Sequence, residues 1–199
     1  MGFDTSTDPQ TGDYRIVKWM DAHHTRLLRD YHQLRKNVFV DGLTWTLPNH
    51  GGYEWDQYDG PRSLMLLREE GGTCTGGCRL IRCDGAHRFG EVEFSYTIRD
   101  AHRGILPGIP RELAEHAPTD KGAWELSRAI SGGDAVHFKA LLARAARFVQ
   151  HQGGDRILLI SRPASLILVP KWGYRATALG PRTRIGTADW LALMIEIPD

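Results

Sequence analysis

Gly122-Ala123-Trp124-Glu125-Leu126-Ser127-Arg128 is the stretch on which the reading of this chain turns. It sets a carboxylate, a hydroxyl and a guanidinium into an otherwise apolar, strand-like run. Side chains on a strand alternate between faces. Trp124, Leu126 and Arg128 are therefore expected on one face, and Glu125 and Ser127 on the other. An edge strand would leave these charges solvated. A strand covered on both faces would bury Glu125 or Arg128, and a buried charge needs a partner. The upstream sequence contains such partners.

Working outward toward the N-terminus, the segment from Asp41 to Pro61 has no clean period. It combines Trp45, Tyr53, Trp55 and Tyr58 with Glu54, Asp56 and Asp59, and is broken by Pro48, Gly51 and Gly52. Disordered linkers lack aromatics, and a long loop in a compact domain usually serves function. An ordered lid over a ligand is expected here, with His50 the one histidine placed to meet it. Before this segment, Tyr14–Lys18 reads as a strand. Asp21 is a candidate cap for a helix from about Ala22 to Val40, in which Leu27, Leu28, Tyr31, Leu34, Val38 and Phe39 recur at helical spacing. Arg35 lies one turn before Phe39.

Between the lid and the site strand, Ser63–Arg68 and Thr75–Cys83 read as a hairpin closed at Gly71-Gly72. Arg79 sits inside its second strand and needs an acid, with Asp56 and Asp59 as the candidates. Val92–Ile98 reads either as a further strand or as part of an extended excursion through Gly104, and Pro107–His116 as a short amphipathic helix. Beyond the site strand, Gly132-Gly133 precedes Asp134, a good N-cap for a long helix to about Gln152. Strands are expected at Arg156–Ile160, Gly173–Leu179 and Trp190–Ile197, with a short helix at Ala164–Val169.

Composition bounds the class. At 199 residues and 41% hydrophobic, the chain has apolar mass for one core. A tail is expected at 1–12 and a single domain over 13–199. Twenty-five basic against 24 acidic residues give no global pull toward nucleic acid or membrane. No apolar run approaches the ~18 residues of a membrane span. Cys74, Cys78 and Cys83 form an odd set without a secretory signal, which points to a reducing, cytoplasmic compartment. With His87 they match none of the usual zinc spacings, so no metal is expected. The expected fold is α/β: a three-layer α-β-α sandwich with a mixed, mostly antiparallel central sheet. No Gly-x-Gly-x-x-Gly opens a helix, which excludes a doubly wound dinucleotide fold.

Several stretches together resemble the acyl-homoserine lactone synthases, the LuxI-type autoinducer synthases. These are Leu34-Arg35-Lys36-Asn37-Val38-Phe39-Val40, Gly42-Leu43-Thr44-Trp45, Glu54-Trp55-Asp56-Gln57-Tyr58-Asp59, Gly77-Cys78-Arg79-Leu80 and Trp124-Glu125-Leu126-Ser127-Arg128. The resemblance implies a sandwich of the Gcn5-related N-acyltransferase type. It implies a reaction between S-adenosylmethionine and an acyl thioester on acyl carrier protein or coenzyme A. The methionine amine is acylated, the lactone closes, and methylthioadenosine leaves. S-adenosylmethionine is then a substrate and no cofactor is expected.

The positions matching the family's charged signature are Arg35, Asp56, Asp59, Arg79, Glu125 and Arg128, and those matching its aromatic pocket are Phe39 and Trp45. Ser127 matches a position near the acyl 3-carbon. The chain departs from the pattern in its longer N-terminus, in Ile105 or Ile109 where an aromatic is usual, and in Arg79 to Arg103.

Under this resemblance each group has an expected task. Phe39 and Trp45 stack on the sulfonium or adenine, and Arg35 takes the carboxylate as a planar fork. Asp56 or Asp59 holds the ammonium or orients Arg79. Glu125 is the general base, directly or through water. Arg128 is expected to lock the loop acids, and Arg79 to act as a buried ion pair or a direct ligand. The acyl chain is expected in a dry slot near Leu141, Leu142, Phe148, Ile160, Leu166 and Ile167, with Ser127 and Ser161 as its polar groups. Lys139, Arg144, Arg147, Arg156, Arg162 and Lys171 would face an acidic carrier protein. Oligomeric state and acyl identity stay open.

Two rival classes are weighed. A coenzyme-A-dependent N-acyltransferase on another amine needs a Gln/Arg-x-x-Gly-x-Gly/Ala loop opening a helix, and the nearest run, Arg68 to Thr73, precedes a strand. A non-catalytic protein binding S-adenosylmethionine or an acyl lactone has no need of Glu125.

Overall fold

A computed structural model describes residues 13–198, and the tail expected at 1–12 lies outside them. The described residues fall into two compact units. Among the described residues the first draws on 13–80 and 128–145, and the second on 81–127 and 146–198.

The first unit opens with β1 (Asp13–Lys18). A 3-10 turn at Ala22–His24 comes next, with the Asp21 carboxylate accepting from His23 N at 3.0 Å. The helix expected over 22–40 is present in three parts: this turn, α1 (Thr25–Arg35) and a π-helical segment at Lys36–Gly42. A π segment inserts an extra residue per turn and rotates the chain beyond it about the helix axis, which periodicity alone does not foresee. Leu27, Leu28, Tyr31, His32 and Arg35 form the buried face of α1.

The 41–61 segment folds as β2 (Asn49–His50) and β3 (Tyr53–Glu54), a two-residue ladder. Next come β4 (Ser63–Glu70) and β5 (Thr73–Arg82), the expected hairpin. β1 pairs antiparallel with β4, from Asp13 opposite Glu69 to Lys18 opposite Leu64. Val17, Leu27, Leu28, Tyr31, Phe39, Met65, Leu67, Cys74 and Ile130 form the core of this unit. Each such side chain contributes about 1.5–3 kcal/mol by leaving water. Gly76 and Gly77 keep the strands close. A Cβ on Gly76 would lie 2.5 Å from the Ile130 carbonyl oxygen, and one on Gly77 2.5 Å from that of Leu66.

The second unit holds β6 (His87–Phe89), β7 (Val92–Phe94) and α2 (Thr97–His102). The strand expected over 92–98 therefore stops at Phe94 and gives way to a helix. The helix expected at Pro107–His116 is only a 3-10 turn, Arg111–Leu113. β8 (Ala123–Ile130) and α3 (Ala135–His151) come after it, both crossing the boundary between the units, with the Asp134 carboxylate accepting from His137 N at 2.7 Å. Then come β9 (Arg156–Ser161), α4 (Ser165–Leu168), β10 (Arg175–Ala178), β11 (Thr183–Ile185), which the sequence reading omitted, and β12 (Ala188–Glu196).

Strand order in the first unit runs β1-β4-β5-β8, and in the second β5-β8-β9-β12-β10, with β5 and β8 belonging to both. β12 is antiparallel to β9, β10 and β11, whereas β8 and β9 are parallel. The result is the mixed sheet of an α/β fold.

Candidate active site

The first unit brings six of its charged side chains together. Arg35 ends α1, Arg79 lies in β5 and Arg128 in β8. Glu54 lies in β3, and Asp56 and Asp59 come after it in the same segment. Arg35 grips Asp59 as a fork, Nη1 to Oδ1 at 2.7 Å and Nη2 to Oδ2 at 2.8 Å, and its Nε donates to Glu54 Oε2. Arg79 Nη1 reaches Asp56 Oδ1 at 2.5 Å and Asp59 Oδ1 at 2.9 Å. Arg128 Nη2 reaches Asp56 Oδ2 at 2.8 Å and Glu54 Oε1 at 3.1 Å. The partner expected for Arg79 is thus both aspartates, and Arg128 locks the loop acids as expected.

The loop prepares its own carboxylates. Asp59 Oδ2 accepts from Asp56 N at 2.9 Å, and Asp56 Oδ1 from Tyr58 N at 2.9 Å. Three guanidinium groups face three carboxylates, so the cluster is formally neutral.

Burial alone would raise the pKa of Asp56 and of Asp59. For Asp56, Arg79 and Arg128 outweigh it; for Asp59, Arg79 and Arg35 do so. Both carboxyls are held below the ordinary carboxylate range. The side chains of Arg35, Arg79 and Glu54 are 0% exposed, while that of Arg128 is 10% exposed. Arg35, expected to take a substrate carboxylate, has its fork engaged by Asp59 and its Nε by Glu54. Arg128 is the guanidinium at the rim of the cluster.

Arg128 also breaks the strand alternation on which the sequence reading began. Its φ of 53° is left-handed, a conformation that costs a non-glycine residue roughly 1–2 kcal/mol. The Tyr31 hydroxyl donates to the Arg128 carbonyl at 2.8 Å, which offsets part of that cost. The turn aims the guanidinium over the Phe39 ring, 5.6 Å from its centroid. Phe39 and Trp45 stack on each other at 5.3 Å and 23°. The π-helical segment makes this possible, because Trp45 N donates to the Phe39 carbonyl at 2.9 Å. His50 is exposed on β2.

In the second unit, Glu125 is 1% exposed. Its Oε2 accepts from Thr97 N at 3.0 Å and its Oε1 from Ile98 N at 2.8 Å. The carboxylate thereby caps α2, whose own N-cap residue, Tyr96, supplies no side-chain bond. An anion suits a helix N-terminus. β8 and β9 pair only from Ala123 opposite Arg156 to Glu125 opposite Leu158. The β8–β9 ladder ends there, and the two strands part beyond Glu125 and Leu158.

Ser127 is partly buried there, and the Ser161 and Ser165 hydroxyls lie 2.6 Å apart. Phe148 is buried with its ring edge-on to Trp124, 5.7 Å between centroids. Ile167, expected in a dry slot, is 66% exposed on α4, whose buried residue is Ser165. Leu141 and Leu142 are buried in the first unit.

Two members of the expected basic face have partners of their own. Arg156 of the expected basic face is neutralised locally by Asp120 and Asp155. Arg162 lies over the Trp190 ring, 5.0 Å from its centroid. All three cysteines are free and buried, and burial pushes the Cys74 thiol up to about 12. Among the described residues no helix is long and apolar enough to cross a membrane.

The sequence reading missed two groups. Glu54 was read only as one loop acid among three, although it bridges Arg35 and Arg128. The α2 amides that hold Glu125 lie in the segment read as a strand. A run ending in Tyr96 before Thr97-Ile98-Arg99-Asp100 was the available helix signal.

The fold is similar to that of several solved structures. An acyl-CoA N-acyltransferase from Pseudomonas aeruginosa has a TM-score of 0.58 at 15% identity, covering 92% of this chain and 98% of that one. A CoA-dependent acyl-homoserine lactone synthase, BjaI, solved with MTA, has a TM-score of 0.75 at 22% identity, covering 93% and 83%. Residues 19–102 match the family described as Autoinducer synthase. Acyl-homoserine-lactone synthases of Aeromonas salmonicida and Aeromonas hydrophila are each 33% identical over 103 residues, 50% of this chain and 41% of theirs. The match spans less than half the length of these curated relatives. The family match supports the motif resemblance over residues 19–102. The motifs from Leu34 to Leu80 lie inside the matched residues, and Trp124 to Arg128 outside them.

Proposed function

We propose that this chain is an acyltransferase of the acyl-homoserine lactone synthase kind, acting in the cytoplasm on S-adenosylmethionine and an acyl thioester. The observation that carries the reading is the neutral cluster of Arg35, Arg79, Arg128, Glu54, Asp56 and Asp59 beneath the Phe39–Trp45 stack. Five of the six, Arg35, Asp56, Asp59, Arg79 and Arg128, are positions matching the family's charged signature, and they meet with Glu54 in one place.

In this reading Phe39 and Trp45 offer π faces to the sulfonium and adenine, a contact worth about 0.5–2 kcal/mol for each ring. Arg128, at the rim, takes the methionine carboxylate, and Arg35 and Arg79 act through the aspartates they hold. The parting of β8 and β9 gives an extended thioester arm two strand edges to bond, with Ser127 and Ser161 beside it. Phe148 belongs to the apolar side of that opening. Leu141 and Leu142 serve as core.

The substrate amine attacks the thioester carbonyl carbon, its proton passes to Glu125 directly or through water, and the thiol leaves. The substrate carboxylate oxygen then displaces the thioether to close the lactone and release methylthioadenosine. A carboxylate offers about four lone-pair sites. Glu125 can therefore keep its two amide bonds and still receive a proton.

The test is incubation of the protein with S-adenosylmethionine and a panel of acyl-carrier-protein and acyl-coenzyme-A thioesters, reading lactone and methylthioadenosine by mass spectrometry. Lactone from one donor class is expected, with kcat in Glu125→Gln lower by about 10²–10⁴. An acylated amine without methylthioadenosine would instead identify an N-acyltransferase acting on another amine. Undiminished lactone from Glu125→Gln would remove Glu125 from the mechanism.

A further inference from the structure

We infer that His32 is a positioning residue for this site: its imidazole fixes the main chain at Glu54, and through the Glu54 carboxylate it fixes Arg35 and Arg128. The inference rests on the reading above for its link to S-adenosylmethionine, and on geometry alone for its link to Glu54.

His32 precedes Arg35 by one helical turn, so the two share a face of α1. It is 1% exposed. Its Nδ1 lies 2.9 Å from the Glu54 carbonyl oxygen. A carbonyl only accepts, so Nδ1 carries the hydrogen and donates. Nε2 is buried without a hydrogen-bond partner, and a second proton there would place a stranded donor and a cation beside Arg35.

The ionisable groups acting on the ring are Arg35 on its own helix, and Glu54 and Asp59 from the 41–61 segment. Burial, reinforced by Arg35, pushes the imidazole down to about 4, so it is neutral in use. The ring plane is clamped as well. Trp55 stacks on it at 3.6 Å and 17°, and Trp19 meets Trp55 edge-on at 5.5 Å and 89°. An apolar residue would avoid the orphaned nitrogen. What the imidazole gives in return is the Nδ1 bond.

Glu54 needs that anchor. Its strand is two residues long and pairs with the two residues of β2, in a segment broken by Pro48, Gly51 and Gly52. Its carboxylate nevertheless receives Arg35 Nε on one side and Arg128 Nε and Nη2 on the other. Arg128 is the guanidinium at the rim, aimed over Phe39. A displacement of Glu54 would therefore be felt at the aromatic pair without His32 touching any substrate.

Two variants separate positioning from packing. His32→Asn keeps a side-chain N–H close to Nδ1, whereas His32→Phe keeps a ring against Trp55 and loses the bond. Titration calorimetry with S-adenosylmethionine is expected to show Asn binding within about threefold of the parent and Phe weaker by about tenfold or more, the size of one lost hydrogen bond to a polarised group. Thermal melts verify that each is folded.

The Arg35 and Arg128 Nε–H resonances are expected to move in Phe and to return in Asn. Unmoved resonances, or Asn and Phe behaving alike, overturn the proposal. Should Phe fail to fold, the ring tautomer of the parent by nitrogen NMR decides, and a proton on Nε2 rather than Nδ1 overturns it. A parent protein that does not bind S-adenosylmethionine sinks the functional reading instead, and the Nε–H comparison still judges His32.

Discussion

The cluster around Asp56 and the pocket of Glu125 neutralise buried carboxylates by different means. In the first unit charge answers charge: three guanidinium groups share three carboxylates, and each arginine touches at least two of them. In the second unit a single carboxylate is answered by the amides of Thr97 and Ile98. A charge network loses its balance when any member is removed. A carboxylate held by main-chain amides depends on no other ionisable side chain in those two bonds, and its neutral amide isostere still offers them an acceptor. The first arrangement suits a rigid frame, and the second suits a group that has to change its protonation state.

The largest effect is expected from breaking the network. Arg79→Leu leaves three carboxylates facing only two guanidinium groups, in a site where Asp56 and Asp59 are nearly excluded from water. Leaving buried charges uncompensated costs about 3–5 kcal/mol. Urea unfolding at pH 7 measures this, and a loss below about 1 kcal/mol, the surface-pair scale, would mean that water already screens the cluster.

Acid provides a second, smaller break. His32 has a folded pKa of about 4 against 6.5 in the unfolded chain, because burial and then Arg35 oppose its charge. The unfolded chain therefore takes the proton first. The stability due to the neutral ring is fully present above pH 6.5 and falls away as pH drops to about 4. At about 1.4 kcal/mol per pKa unit this amounts to ~3 kcal/mol. His32→Asn is expected to flatten that part of the stability–pH curve. A slope unchanged by the substitution would assign the acid sensitivity to other groups.

The two regions also differ in how far the sequence discloses them. Asp56, Asp59, Arg79 and Arg128 were readable as partners, because charges inside apolar strands need opposite charges and the neighbouring loop contains them. Strand and helix order was readable for the same kind of reason, through period and turn chemistry in Gly71-Gly72 and Gly132-Gly133. Glu125 was readable as a buried acid, but its partners were not. Main-chain amides carry no sequence signature, and the helix that presents them is six residues long. The π-helical segment was hidden likewise, since Val38 and Phe39 fit an α-helical period as well as a π one. Arg128 shows a third limit: alternation assigned its face, and a left-handed φ then re-aimed it.

The smallest stability effect sharpens the comparison most. Glu125→Gln keeps one carbonyl acceptor for α2 and replaces the other oxygen by an amide donor, facing Thr97 N or Ile98 N. Loss of one charge-assisted bond predicts about 1–3 kcal/mol in urea unfolding, less than Arg79→Leu. Activity is expected to fall far more than stability, whereas in Arg79→Leu the two should fall together. If Glu125→Gln proved as destabilising as Arg79→Leu, the carboxylate would belong to the frame, and the proton would have to leave by another group. If it cost almost nothing while abolishing lactone formation, the amides of α2 serve to aim the carboxylate rather than to hold the fold.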